Sequence, residues 1–256
     1  MKKQIKIWAL RLTATVLFTA MLLIVIVLNP ILTYASKTTH KKYTIFYNKA
    51  LDQQLLFRLN EAGTLLQKSE FYNPMLKFDI CLDDGSIYPA MMQKIRGKAF
   101  AWGFYNKVVL QGNADYENNY VELNGYKWNL TQLLAHELTH CLQFSKLGFW
   151  KSNPVAGIPG WKWEGYPEYV ARQGVDQKDL SKIIERLLQT ERINNNGWIK
   201  ILENTGTVIP YYKSWLLIQY CIDIKEMSYQ QILNDPTKEE TVWRKMMTWY
   251  NNQKRL

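Results

Sequence analysis

Apolar positions recur at helical spacing along most of this chain, and only a few short stretches alternate. Leu12–Leu28 carries no charge, and the uncharged run continues through Ser36. A helix needs roughly 20 residues to cross a bilayer. Leu12–Leu32 is long enough, and Asn29-Pro30 would kink or end such a helix. Tyr43–Tyr47 is β-branched or aromatic at nearly every position and reads as a strand. Residues 49–67 carry Leu51, Leu55, Leu56, Leu59, Leu65 and Leu66, which predicts a helix. Met75–Leu82 alternates up to Asp83-Asp84-Gly85, a strand followed by a turn, and Phe100–Phe104 and Val108–Gln111 read as further short strands. From Leu130 the pattern turns helical, over 130–147, 164–173, 178–192, 212–224, 228–233 and 239–252.

Strands first and helices later argue an α+β fold. No repeat, low-complexity run or Ser/Gly linker divides residues 36–256. The expected organisation is therefore a basic tip with a transmembrane signal-anchor over 1–35, and one extracytoplasmic domain over 36–256.

Composition narrows the class. Apolar types make up 47% of the 256 residues, with 10 Trp, 16 Tyr and 9 Phe, enough for a packed core and incompatible with a disordered chain. Net charge is +10, but four of the cations and none of the acids lie in the first 35 residues. The remaining +6 suits an anionic cell-surface polymer at least as well as nucleic acid. No zinc-finger, helix-turn-helix or RNA-recognition signature favours the latter, so no nucleic-acid partner is expected. Cys81, Cys141 and Cys221 are far apart, which excludes a disulfide scaffold and allows at most one bridge. Lys2, Lys3, Lys6 and Arg11 precede the apolar run, so the positive-inside rule puts the N-terminus in the cytoplasm and the rest outside. A cleaved signal peptide is the rival, with Thr33-Tyr34-Ala35 as its cleavage site and a secreted product. The apolar run exceeds the 7–15 residues usual for such peptides, which favours an uncleaved anchor.

The candidate chemistry lies in Ala135-His136-Glu137-Leu138-Thr139-His140-Cys141, an HExxH sequence. On a helix, positions i and i+4 are about 40° apart around the axis, so His136 and His140 can aim nitrogens at one ion. Glu137 between them is placed to take a proton from a water activated by that ion. Asn129 is a good N-cap, Gly148 a good stop, and uncharged neighbours suit a buried helix. Two of the chain's 3 histidines fall in this motif. The His/carboxylate ligand type favours zinc. The third histidine, His40, lies beside the apolar segment and is poorly placed as a ligand. Cys141 points about 100° away from His140 and reads as inert packing.

Downstream stands Trp161-Lys162-Trp163-Glu164-Gly165-Tyr166-Pro167-Glu168-Tyr169. Over 130–172 the chain resembles the gluzincin zinc metallopeptidases, the clan of thermolysin and aminopeptidase N, in a small membrane-anchored bacterial form. The resemblance implies a zincin-like fold, in which a small mixed sheet precedes the active-site helix and a helical C-terminal half follows. It implies Glu164 as third zinc ligand, by match to the aromatic-x-x-Glu-Gly-aromatic-small pattern; Pro167 departs from the small residue usual there, though proline is tolerated in a first helical turn. Glu168, one turn on, could be the ligand instead, and otherwise reads as an acceptor for a histidine N–H. Zinc held by His136, His140 and Glu164, with Glu137 as base, would hydrolyse peptide bonds of a protein or peptide at the outer membrane face. An edge strand, Phe100–Phe104 or Val108–Gln111, would receive extended substrate. The clan also uses a Tyr or His donor for the oxyanion. Ile209-Pro210-Tyr211-Tyr212-Lys213-Ser214 resembles the Tyr-x-x-Ser helix start of small bacterial gluzincins and implies Tyr211 or Tyr212, with Arg172 or a backbone donor as the remaining choice. Polar residues within 130–147 exclude an intramembrane protease. A membrane-anchored, zinc-stabilised sensor or adaptor without turnover is the alternative reading, and the intact Glu137 counts against it.

Overall fold

The protein is described here from a computed structural model, which covers residues 2–174, 177–193, 196–202 and 204–254. Helix α1 (Lys2–Leu28) stops where the sequence turns to Asn29-Pro30, and Pro30–Thr33 forms a single tight turn that leads into the folded body. Its stretch Gln4–Leu28 is long and apolar enough to cross a membrane, a property shared with signal sequences. The join to the body is well bonded. The Tyr88 hydroxyl donates to the Val27 carbonyl at 2.6 Å, Ser86 Oγ to that of Thr33 at 2.9 Å, and the Tyr34 hydroxyl to that of Leu82 at 2.8 Å. Tyr34 itself is buried among Phe46, Tyr88 and Phe104.

The body is α+β and its main sheet is mixed. Strands β1 (Ser36–His40), β2 (Tyr43–Tyr47), β3 (Phe78–Cys81), β4 (Ala101–Phe104) and β5 (Lys107–Leu110) lie in the order β1-β2-β3-β5-β4. The β2–β3 and β3–β5 pairs are parallel, and both outer pairs are antiparallel. Between β2 and β3 runs α2 (Gln53–Leu66), capped by Asp52 and burying Leu55, Leu59, Ala62 and Leu66, the face its spacing predicts. Helix α3 (Ile87–Arg96), capped by Ser86, precedes β4. A separate antiparallel meander follows, with β6 (Asn113–Asp115), β7 (Tyr120–Leu123) and β8 (Tyr126–Asn129).

Helix α4 (Leu130–Leu147) is buried on all sides from Leu130 to Phe144. The Asn129 side chain accepts from Gln132 N at 3.0 Å, and Gly148, at φ 77°, ends the helix. It packs on β4 and β5, on α2 and on α6. Short α5 (Gly160–Trp163) and α6 (Gly165–Ala171) flank Glu164, and α7 (Leu180–Ile193) follows. The hairpin β9 (Trp198–Leu202) and β10 (Thr205–Val208) leads into α8 (Ile209–Gln219), which continues as a π turn over Tyr220–Ile224. Helices α9 (Tyr229–Asn234) and α10 (Glu239–Gln253) complete the described chain.

Two glycines set close approaches. A Cβ on Gly103 would sit 2.3 Å from the Glu137 carbonyl oxygen, so only glycine lets β4 lie against α4. A Cβ on Gly165 would sit 2.4 Å from the Ser214 carbonyl oxygen, so the same holds for α6 against α8. The glycine of Glu164-Gly165 thus brings the start of α8 toward the site.

Candidate metal centre

His136 and His140 lie one turn apart on α4, and Glu164 reaches them from the junction of α5 and α6. His136 Nε2 and His140 Nε2 are 3.2 Å apart, and Glu164 Oε2 is 3.3 Å from the first and 3.1 Å from the second. These three atoms form a triangle that could hold a metal ion. Zinc bonds of about 2.0–2.1 Å in a tetrahedron put ligand atoms about 3.3 Å apart, so the triangle has the size of one zinc face. Two imidazoles with one carboxylate suit a transition metal over calcium or magnesium, which take oxygen donors.

Each imidazole has a polar side chain behind it. His140 Nδ1 faces Gln143 Oε1 at 2.7 Å, while Gln143 Nε2 donates to the Trp163 carbonyl at 3.1 Å and to Tyr229 Oη at 2.7 Å. Both amide hydrogens are thereby used, so Oε1 must be the atom that accepts, His140 carries its proton on Nδ1, and its Nε2 lone pair is left for the ion. Trp163 O is free to accept because its helical partner would be the N–H of residue 167, and Pro167 has none. His136 Nδ1 lies 3.0 Å from Glu168 Oε1. Glu168 Oε2 accepts from Arg172 Nε, and Arg172 Nη1 donates to Gln132 Oε1 at 2.9 Å.

Charge in the cluster follows from this packing. Burial works against a charged His136, but Glu164, Glu168 and Glu137 outweigh it and raise the imidazole to about 10. Burial would raise Glu164, yet His140 and His136 hold it far below the usual carboxylate range. Glu137 is raised, by burial first, against the pull of the two imidazoles and a hydrogen bond from the Gly103 N–H.

The cluster opens into a cavity of about 370 Å³ lined by His136, Glu137, His140, Glu164, Tyr211 and residues 99–103. Strand β4 borders it and has a partner on one side only, so its other edge is available. Val108–Gln111 does not serve as an edge: β5, which spans most of it, lies between β3 and β4 with both sides paired. The two tyrosines separate. Tyr211 stacks on His136 with ring centroids 5.8 Å apart and planes 10° apart. Burial first, then the charges of Glu164, Glu137 and Glu168, keep its hydroxyl protonated well beyond neutral pH. Tyr212 is fully buried elsewhere and donates to the Ile183 carbonyl at 2.9 Å, so it is a core residue. Arg172 is also away from the cavity, buried against Glu168 with the Trp128 and Trp215 rings.

His40 sits on β1 beside Asn60 and takes no part. All three cysteines are free and buried, and the Cys141 thiol meets the Lys107 carbonyl at 3.4 Å. Sequence reasoning missed Gln143, whose signal was a glutamine three positions after His140, on the same helical face as both histidines. No family model, characterised protein or solved structure matches the chain.

Proposed function

We propose that this protein is a zinc-dependent peptidase of the gluzincin type, with a zincin-like fold, working at the outer face of the membrane on protein or peptide substrates. The observation that carries the reading is the triangle of His136, His140 and Glu164 beside a buried glutamate, Glu137, at the floor of an open cleft. A structural metal site has no use for such a carboxylate, and it is closed to solvent rather than open to a cavity.

Bound zinc would supply a Lewis acid that polarises a scissile carbonyl and brings a water's pKa toward neutrality. Glu137, positioned by the Gly103 N–H and raised by burial, accepts the water's proton and returns it to the leaving amine. The protonated Tyr211 hydroxyl donates to the carbonyl oxygen as negative charge develops on it. The free edge of β4 pairs with extended substrate through its backbone, and Gly103 lets that strand lie directly against Glu137. Gln143 and Glu168 hold the two imidazoles in register throughout.

The basic residues before α1 support a cytoplasmic N-terminus with the domain outside. Burial of Tyr34 supports a retained anchor, because cleavage after Ala35 would remove a core side chain and its bond to Leu82. Zinc analysis of the purified full-length protein, together with digestion of a peptide library, tests the proposal. Stoichiometric zinc with chelator-sensitive cleavage is expected, and neither zinc nor cleavage would remove it.

A further inference from the structure

Arg96 is the last residue of α3, and Gly97, at φ 95°, turns the chain away from it. The Trp102 indole N–H donates to the Gly97 carbonyl at 3.1 Å, which fixes the ring across the helix end. On that ring lies the Arg96 guanidinium, its carbon 4.6 Å from the Trp102 centroid and 5.9 Å from that of Phe104. Arg96 lines the cavity of the metal triangle, and on its Glu164 side it also borders a smaller hollow with Asn153 and Trp163.

The guanidinium makes no hydrogen bond or ion pair among the described residues. The carboxylates nearest in effect are Glu137 and Glu164, and both are committed, to Gly103 and to the two histidines. Lys98, which also lines the cavity, is by contrast held by Asn124 Oδ1 at 2.5 Å. A guanidinium stacked through its face keeps its in-plane N–H groups free, in a fork that matches a carboxylate. Partly desolvated donors without a partner are costly, and an anionic ligand group would satisfy them.

We propose that Arg96 is a specificity residue that binds a substrate carboxylate, either a peptide's C-terminus or an Asp/Glu side chain, next to the reaction centre. The proposal rests on the peptidase reading for the word substrate, but its test does not need turnover. Full-length Glu137→Gln protein in detergent, loaded with zinc, is titrated by calorimetry with three acetylated peptides. These are tetra-alanine acid, tetra-alanine amide, and the amide with its second alanine replaced by glutamate. The acid, the glutamate peptide, or both should bind about 10–100-fold tighter than the neutral amide, and which one does so identifies the source of the carboxylate. Arg96→Gln in the same background should abolish the preference with zinc content unchanged, and Arg96→Lys should keep part of it. Equal affinity for all three peptides, no binding of either anionic peptide at millimolar concentration, or a preference that survives Arg96→Gln overturns the proposal. Failure of the zinc-loaded wild type to cleave a peptide library, alongside an intact Arg96-dependent preference, would instead remove the peptidase reading and leave the carboxylate site standing.

Discussion

The Tyr211 ring lies nearly parallel to the His136 imidazole, 5.8 Å away, while the adjacent Tyr212 turns into the core and bonds to Ile183. Adjacent helical residues point about 100° apart, so only one of the pair can face the cleft. Tyr211→Phe should lower kcat on the order of 10²-fold with zinc content and thermal stability nearly unchanged. Tyr212→Phe should keep turnover and cost about 1 kcal/mol of stability through loss of its buried hydrogen bond to the Ile183 carbonyl. Steady-state kinetics beside thermal unfolding checks both. Full activity in Tyr211→Phe would take its hydroxyl out of the reaction.

Gln143 gives a second expectation. Its Oε1 fixes the His140 ring, and it is held by Trp163 and Tyr229. Gln143→Leu should weaken zinc binding about 10–100-fold in a chelator competition. Unchanged affinity would mean that packing alone orients His140.

Glu164 and Glu168 should respond differently to the same change. Glu164→Gln removes a charged ligand atom from the triangle, whereas Glu168→Gln leaves the triangle whole and disturbs the atom behind His136. Zinc affinity should fall much further in Glu164→Gln, and the reverse order would exchange their roles. Arg172→Met should destabilise the fold by about 3–5 kcal/mol, because it strands the buried Glu168 carboxylate without its arginine. Denaturant unfolding of the membrane-extracted protein measures that loss.

The junction at Tyr34 predicts the fate of the N-terminus. Full-length protein should stay in the membrane fraction, and Tyr34→Ala should destabilise the body by about 3 kcal/mol through loss of a buried ring. Recovery of a stable soluble form beginning at Ser36 would show that the body does not need it.

Much of this was legible where the signal is local. The Asn129 and Gly148 caps, the HExxH face and the Glu164-Gly165 pair are short-range patterns, and α2, α4, α7, α9 and α10 lie within a few residues of their expected bounds. In the meander the only local signal is Asn124-Gly125, both with positive φ, between two four-residue strands. Strand β1 is Ser-Lys-Thr-Thr-His, with no alternation to read, and it exists through pairing with β2 across the turn at Lys41. Helix α3 carries Pro89 in its first turn, where proline is harmless, so that proline marks no break. Nor could the sequence reveal that Pro167 leaves the Trp163 carbonyl for Gln143, or which of β4 and β5 is the edge. Those relationships join distant segments and appear only when the chain is folded.

Turnover by the zinc-loaded full-length protein and its Glu137→Gln variant, measured on the same cleaved peptide with zinc content determined in both, tests the central claim most directly. Glu137 touches no ligand atom of the triangle, so the variant should keep its zinc and its fold. It should lose hydrolysis by on the order of 10²–10⁴-fold, the usual contribution of a positioned base. Cleavage by Glu137→Gln at the wild-type rate, or a zinc-replete wild type that cleaves no peptide, would contradict the account.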